Sequence, residues 1–181
     1  MQAIISLNLF PSNNKPKSKN NQIEMKIILL TVGKTNDSHL IKLQEEYQNR
    51  LRFYLPFENV TIPELKNTKN LSINEQLDKE ADFILKQLDS SDKVVLLDEK
   101  GKQFTSVGFS EFLSKKMLSS VKRMVFVVGG PYGFSERIYK RADEKISLSM
   151  MTFSHQMIRL IFVEQVYRAM TILKGEPYHH E

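Results

Sequence analysis

Three stretches of the chain carry residues that could do chemistry. Gly129, Gly130, Pro131, Tyr132 and Gly133 directly follow the apolar run 124–128 (MVFVV) and precede a helical pattern. Glycine lets backbone approach a ligand closely and donate amide hydrogen bonds, while proline stiffens a turn and starts a helix. The motif reads as a ligand-binding loop or as an ordinary strand-to-helix turn. It is not the G-x-G-x-x-G of dinucleotide-binding folds, and it lacks the lysine and hydroxyl of a phosphate-binding loop.

The second stretch is 147–169, SLSMMTFSHQMIRLIFVEQVYRA. Its opening, Leu148, Ser149, Met150, Met151, Thr152 and Phe153, is an apolar loop with two hydroxyls, suited to gripping an adenine by backbone hydrogen bonds and packing; a loop facing the core has the same make-up. In the helix that follows, Ile158, Ile161, Phe162, Val166, Ala169 and Leu173 are explained by packing. Arg159, Glu164, Gln165 and Arg168 are not. Singly, Arg159 and Glu164 fit a solvated face and His155 fits a helix start. As neighbours they could serve a site.

The third stretch is the end, Pro177, Tyr178, His179, His180 and Glu181, beyond a helix that Gly175 stops. It reads as a functional aromatic and imidazole tail or as a frayed terminus. Two adjacent histidines and one carboxylate make a weak metal signature, and no metal is expected. With no cysteine in the chain, disulfides, thiolate zinc sites and a cysteine nucleophile are excluded.

The elements that must position these residues alternate in period. Residues 26–32 (KIILLTV) are apolar on both faces, as a strand covered by helices on each side should be. Leu40, Leu43, Tyr47, Leu51 and Tyr54 follow at helical spacing. A second strand is expected within 57–65, shortened by Pro63. Ser72 and Glu75 form a capping-box pattern ahead of Leu77, Ala81, Ile84 and Leu88. Residues 93–97 are a third strand, Phe112, Leu113 and Met117 mark a third helix, and 124–128 is the strongest strand signal. A short helix from about Ser135, a short strand at 146–148 and a long helix over 154–173 complete the order. Repeated β then α predicts a parallel-sheet α/β/α sandwich, with ligands beyond the carboxyl ends of the strands.

Length and composition fit one globular domain, and no apolar run approaches the roughly 20 residues of a membrane span. No export signal is read at the start, and the cytoplasm is the expected location. Residues 1–24 stand apart: Asn, Ser, Lys and Pro dominate from 11 to 22, which reads as a flexible extension or a mis-assigned start. Of the formal charge of +5, Lys15, Lys17, Lys19 and Glu24 contribute +2, leaving +3 for 25–181. So mild a basic excess permits a nucleic-acid partner without requiring one.

The opening MKIILLTVGK, the LLDEKGK segment, GGPYG, LSMMTFSHQMIRLIFVEQVYRA and the PYHHE ending, in this order over 25–181, resemble one family: the bacterial large-subunit (23S) ribosomal RNA pseudouridine N3-methyltransferases, small members of the trefoil-knotted SPOUT class. That resemblance implies a C-terminal trefoil knot, S-adenosyl-L-methionine as cofactor, ribosomal RNA or the assembled ribosome as partner, and a homodimer in which one subunit's tail completes the other's site. On the matching positions it puts Leu97, Gly129 and Leu148, Ser149, Met150, Met151, Thr152 and Phe153 around the cofactor. It gives His155, Arg159, Tyr178 and His179 to the RNA side, with His155 or His179 as proton acceptor or orienting group. His180 departs from the family's usual basic residue, and a histidine of ordinary pKa about 6.5 is mostly neutral at pH 7. A non-catalytic ribosome- or RNA-binding module of the same fold is the alternative reading, and a Rossmann-like enzyme of a small metabolite is a second.

Overall fold

The computed structural model describes residues 25–179; the segment 1–24, His180 and Glu181 lie outside it. Five strands, β1 (Lys26–Val32), β2 (Phe57–Ile62), β3 (Lys93–Gln103), β4 (Arg123–Val128) and β5 (Glu144–Ser147), form one sheet in the order β2-β1-β4-β3-β5. Every pairing is parallel. The helices are α1 (Ser38–Leu51), α2 (Ile73–Leu85), α3 (Ser106–Met117), α4 (Glu136–Arg141) and α5 (His155–Lys174), with a 3-10 turn at Thr68–Asn70.

Side chains alternate across a strand, and here both faces are buried. Ile27 and Leu29 of β1 join Met124 and Phe126 of β4 in a cluster with Leu51, Phe109, Leu113 and Phe162 from the α1, α3 and α5 side. Ile28, Leu30, Val125 and Val127 join Ala81, Ile84 and Ile138 beneath α2 and α4. The expected three-layer sandwich is therefore present. Phe126 and Phe162 are fully buried, with ring centroids 4.6 Å apart, and they key α5 to the centre of the sheet.

Most element ends follow local chemistry. Ser72 accepts from the Glu75 backbone N–H while the Glu75 carboxylate accepts from the Ser72 N–H, the reciprocal cap that the spacing predicts. Asp37 caps α1 and Ser154 caps α5. Several boundaries differ from the expected ones, among them β5, which starts at Glu144 and ends at Ser147 rather than spanning 146–148. Tyr54 falls beyond α1, which ends at Leu51. The third strand does not stop at Leu97. It continues to Gln103 after a step in register, since Leu97 and Lys102 both pair with Ile146 of β5. Residues 98–101 are thereby pushed out of the ladder as a bulge. Gly101 makes this possible: a Cβ there would meet the Ile146 backbone at 2.5 Å.

Replacing Phe162 by Ala is expected to lower unfolding free energy by about 3–5 kcal/mol. Urea unfolding followed by circular dichroism, with the slope unchanged, measures it.

Candidate functional site

A cleft of about 370 Å³ opens at the carboxyl ends of β3, β4 and β5. Three loops build it: the bulge after Leu97, the glycine turn after β4, and the apolar segment after β5. The bulge presents Asp98, whose carboxylate accepts from the Lys100 backbone N–H at 2.8 Å and from the Tyr139 hydroxyl at 2.6 Å. Burial first, then the neighbouring Asp98 carboxylate, pushes the Tyr139 hydroxyl up to about 12, so the phenol stays protonated and acts as donor. Asp98 thus faces the cleft as an oriented anion.

The glycine turn is tight. The Gly133 N–H donates to the Gly130 carbonyl at 3.1 Å, and Gly129 is buried against the turn so closely that a Cβ would lie 2.7 Å from the Gly133 oxygen. The third loop is tied to itself: the Ser147 hydroxyl donates to the Ser149 carbonyl at 2.8 Å, and the Ser149 hydroxyl accepts from the Met151 N–H at 2.9 Å. These bonds brace the loop, and Leu148 anchors it to the core. The apolar part of the wall comes from Leu97, Ile146, Leu148 and Ile158, while Asp98, Glu99 and Lys100 leave a net negative charge. Such a cleft can bury a flat heterocycle and offer hydrogen-bond acceptors to hydroxyls or to a cationic group.

Of the residues singled out in the sequence, Leu97, Gly129, Leu148, Ser149, Met151, Thr152 and Phe153 line this cleft. Met150 does not, and is 91 % exposed. His155 stands on the rim. Arg159, one turn along α5, is buried beneath it: its terminal nitrogens donate to the carbonyls of Val32 at 2.6 Å and Gly33 at 2.9 Å and to the Thr35 hydroxyl at 3.1 Å. Burial lowers its pKa, partly offset by the charge of Glu64.

Tyr178 and His179 lie elsewhere. The Tyr178 hydroxyl donates to Glu164 at 3.1 Å and sits 3.3 Å from the Tyr47 hydroxyl, and its ring lies against Tyr167 with Arg168 above it. Burial first, then the Tyr47 hydroxyl and the Glu164 carboxylate, raise its pKa. The His179 Nδ1 lies 3.5 Å from Arg168. Thirteen residues of helix separate His155 from Arg168, about 20 Å along the axis. One subunit therefore does not gather His155 and Arg159 with its own Tyr178 and His179. Sequence reasoning passed over Asp98 and Tyr139 as site residues; the LLDEKGK segment flagged the first, and nothing local marks the second.

A parallel α/β/α sandwich with a ligand cleft at its strand ends is the class that fold and site define. Residues 25–179 match the family model described as predicted SPOUT methyltransferase, and the chain belongs to the SPOUT methyltransferase family. Similar curated proteins include Ribosomal RNA large subunit methyltransferase H of Parabacteroides distasonis, 63% identical over 157 residues that cover 87% of this chain and 100% of the relative. The protein of the same name from Flavobacterium johnsoniae is 57% identical with the same coverage. Among solved structures, the tRNA (m1G37) methyltransferase from Aquifex aeolicus shares the fold at 18% identity, with a TM-score of 0.53 over 87% of this chain and 75% of that one.

Arg159→Lys, which cannot reproduce the forked contacts with two carbonyls, is expected to cost about 1–3 kcal/mol of stability. Thermal unfolding monitored by circular dichroism checks it.

Proposed function

We propose that this protein transfers a methyl group from S-adenosyl-L-methionine to N3 of a pseudouridine in large-subunit ribosomal RNA, acting in the cytoplasm on the assembled ribosome. The observation that carries the proposal is the cleft: three loops at the ends of adjacent parallel strands, in a family of methyltransferases, converge on one space with an oriented carboxylate and an exposed histidine at its rim.

The residues fit the donor. The volume lies in the usual range for a small-molecule site, the apolar wall suits the adenine, Asp98 suits the ribose hydroxyls, and the net negative lining suits a sulfonium. S-adenosyl-L-methionine supplies, when bound, a methyl carbon already activated by its sulfonium, so that the carbon–sulfur bond breaks as the carbon–nitrogen bond forms and the imide proton departs. The chain's task is alignment, exclusion of water and reception of that proton. Leu97, Gly129 and Leu148 to Phe153 hold the donor. His155 is the group in reach of the acceptor and takes or steers its proton. Neither step needs a metal.

The tail points to a homodimer. Its own α5 keeps Tyr178 and His179 about 20 Å from the cleft, so they serve a site only in a second copy. Met150 and Met151, 91 % and 75 % exposed beside the cleft, offer the apolar contact such a partner covers. The trefoil knot belongs to this proposal too: after edge strand β5, the chain returns across the sheet to lay α5 between α1 and α3. No described helix is long and apolar enough to cross a membrane.

Isothermal titration with S-adenosyl-L-methionine, followed by methyl transfer to ribosomes from a strain lacking the homologous enzyme, tests the proposal. Donor binding and one methyl at a pseudouridine are expected; ribosome binding with no donor affinity would sink it. In single-turnover assays, His155→Ala and His179→Ala are each expected to slow transfer by about 10²–10⁴ if the group handles the proton. Full activity in both variants removes histidine from the chemistry. Binding should also weaken steeply with added salt, as phosphate contacts require.

A further inference from the structure

Beside the donor cleft lies a second cavity, of about 290 Å³. Its walls come from the ends of β1 and β4, the loop after β2, α2 and the first turn of α5. Gly130, Pro131 and His155 line both spaces, so the glycine turn and one imidazole form the partition between them. The second cavity is therefore the immediate neighbour of the donor cleft.

Its chemistry is mixed and incompletely used. Glu80, half-buried on α2, lies against the partition: a Cβ built on Gly130 would fall 2.8 Å from its Oε2. Burial first, then the carboxylate of Glu64, raises the pKa of Glu80, and a hydrogen bond from the Gly130 backbone works the other way. Across the space is Arg159, only 3 % exposed, whose Nε has no hydrogen-bond partner although its terminal nitrogens are engaged. Lys34 lines the same wall. A partly open space with a lysine on one side and a carboxyl acceptor on the other matches a flat ring that alternates carbonyls with N–H groups.

We propose that this cavity is the subsite for the acceptor base, and that Glu80 reads it by accepting the hydrogen bond of the ring N1–H. The inference rests on the reading of a pseudouridine acceptor and extends it to a specificity-determining residue. In uridine N1 carries the ribose and has no hydrogen. In pseudouridine the ribose is on C5, so N1 keeps its hydrogen and the ring has a second donor besides N3–H. A partly desolvated carboxyl is the feature that separates the two isomers, because uridine offers it no N–H beyond the one it already accepts from Gly130. Lys34 meets a ring carbonyl, and N3 faces the donor over the shared rim at Pro131 and His155.

Two kinds of large ribosomal subunit serve as test substrates, one from a strain lacking the methyltransferase and one lacking the pseudouridine synthase as well, so that the target is uridine. The full chain with S-adenosyl-L-methionine is expected to favour the first. Glu80→Ala should shrink the ratio of kcat/KM values by about tenfold to a hundredfold, chiefly through the pseudouridine substrate, with donor affinity by titration retained. Glu80→Gln, which keeps a carbonyl acceptor, should restore most of the ratio. Equal losses on both substrates, or a ratio kept while donor binding weakens, would show that Glu80 only props the Gly130 turn and overturn the proposal. If Glu80→Ala does not fold, Leu65→Trp decides: filling the cavity from its outer wall should abolish transfer with donor affinity kept, and unimpaired transfer overturns the proposal. Transfer by the unmodified chain to both substrates at equal rates overturns the role of Glu80 alone. Transfer to neither removes the underlying reading as well.

Discussion

A guanidinium withdrawn from water is costly unless its donors find acceptors, and Arg159 meets that demand on the backbone at the end of β1. The carbonyls of Val32 and Gly33 are among the last of that strand, at the point where the ladder stops and the chain turns toward α1. By holding them, Arg159 fixes the start of α5 to the middle of the sheet. Gln156 adds to the same joint, accepting from the backbone N–H groups of Asn36 and Asp37. His155 is set one turn earlier on the same helix, so its place at the rim follows from this buried charge.

The rest of the cleft depends on parallel strands ending together. Because β3, β4 and β5 run the same way and are neighbours, the loops that follow them emerge side by side, and three segments far apart in sequence share one space. The register step between β3 and β5 sharpens this. It releases residues 98–101 from the ladder and lets Asp98 face the cleft, where Tyr139 from α4 orients it.

At the far end of α5 a separate arrangement holds the tail. Tyr167 meets Tyr178 edge to face and lies tilted against Tyr47, and Glu164 ties both Tyr178 and Arg168. The Tyr54 hydroxyl donates to Glu176 on the same side. These contacts give Tyr178 and His179 a defined place on their own subunit. The length of the helix then separates them from the cleft of the same chain.

Local chemistry made much of this legible from the residues. The two-faced apolar strands, the alternation of β and α, the Ser72 and Glu75 cap and the stop at Gly175 each depend on neighbours a few positions away, and each is found where the spacing puts it. Two of the three loops that line the cleft, the glycine turn and the apolar segment after β5, were also legible as motifs, Met150 excepted, since loops rich in exposed backbone need unusual residue types. Other facts were decided by tertiary structure alone. That Arg159 is buried rather than solvated depends on β1 ending beneath α5, and that Asp98 leaves the sheet depends on a pairing with β5 some 45 residues later. The Glu80 carboxyl meets Gly130 only because α2 crosses the end of β4, a contact between segments with no shared period or motif. Sequence spacing reports what a residue can do in its own element; which residues meet is set by how the elements pack.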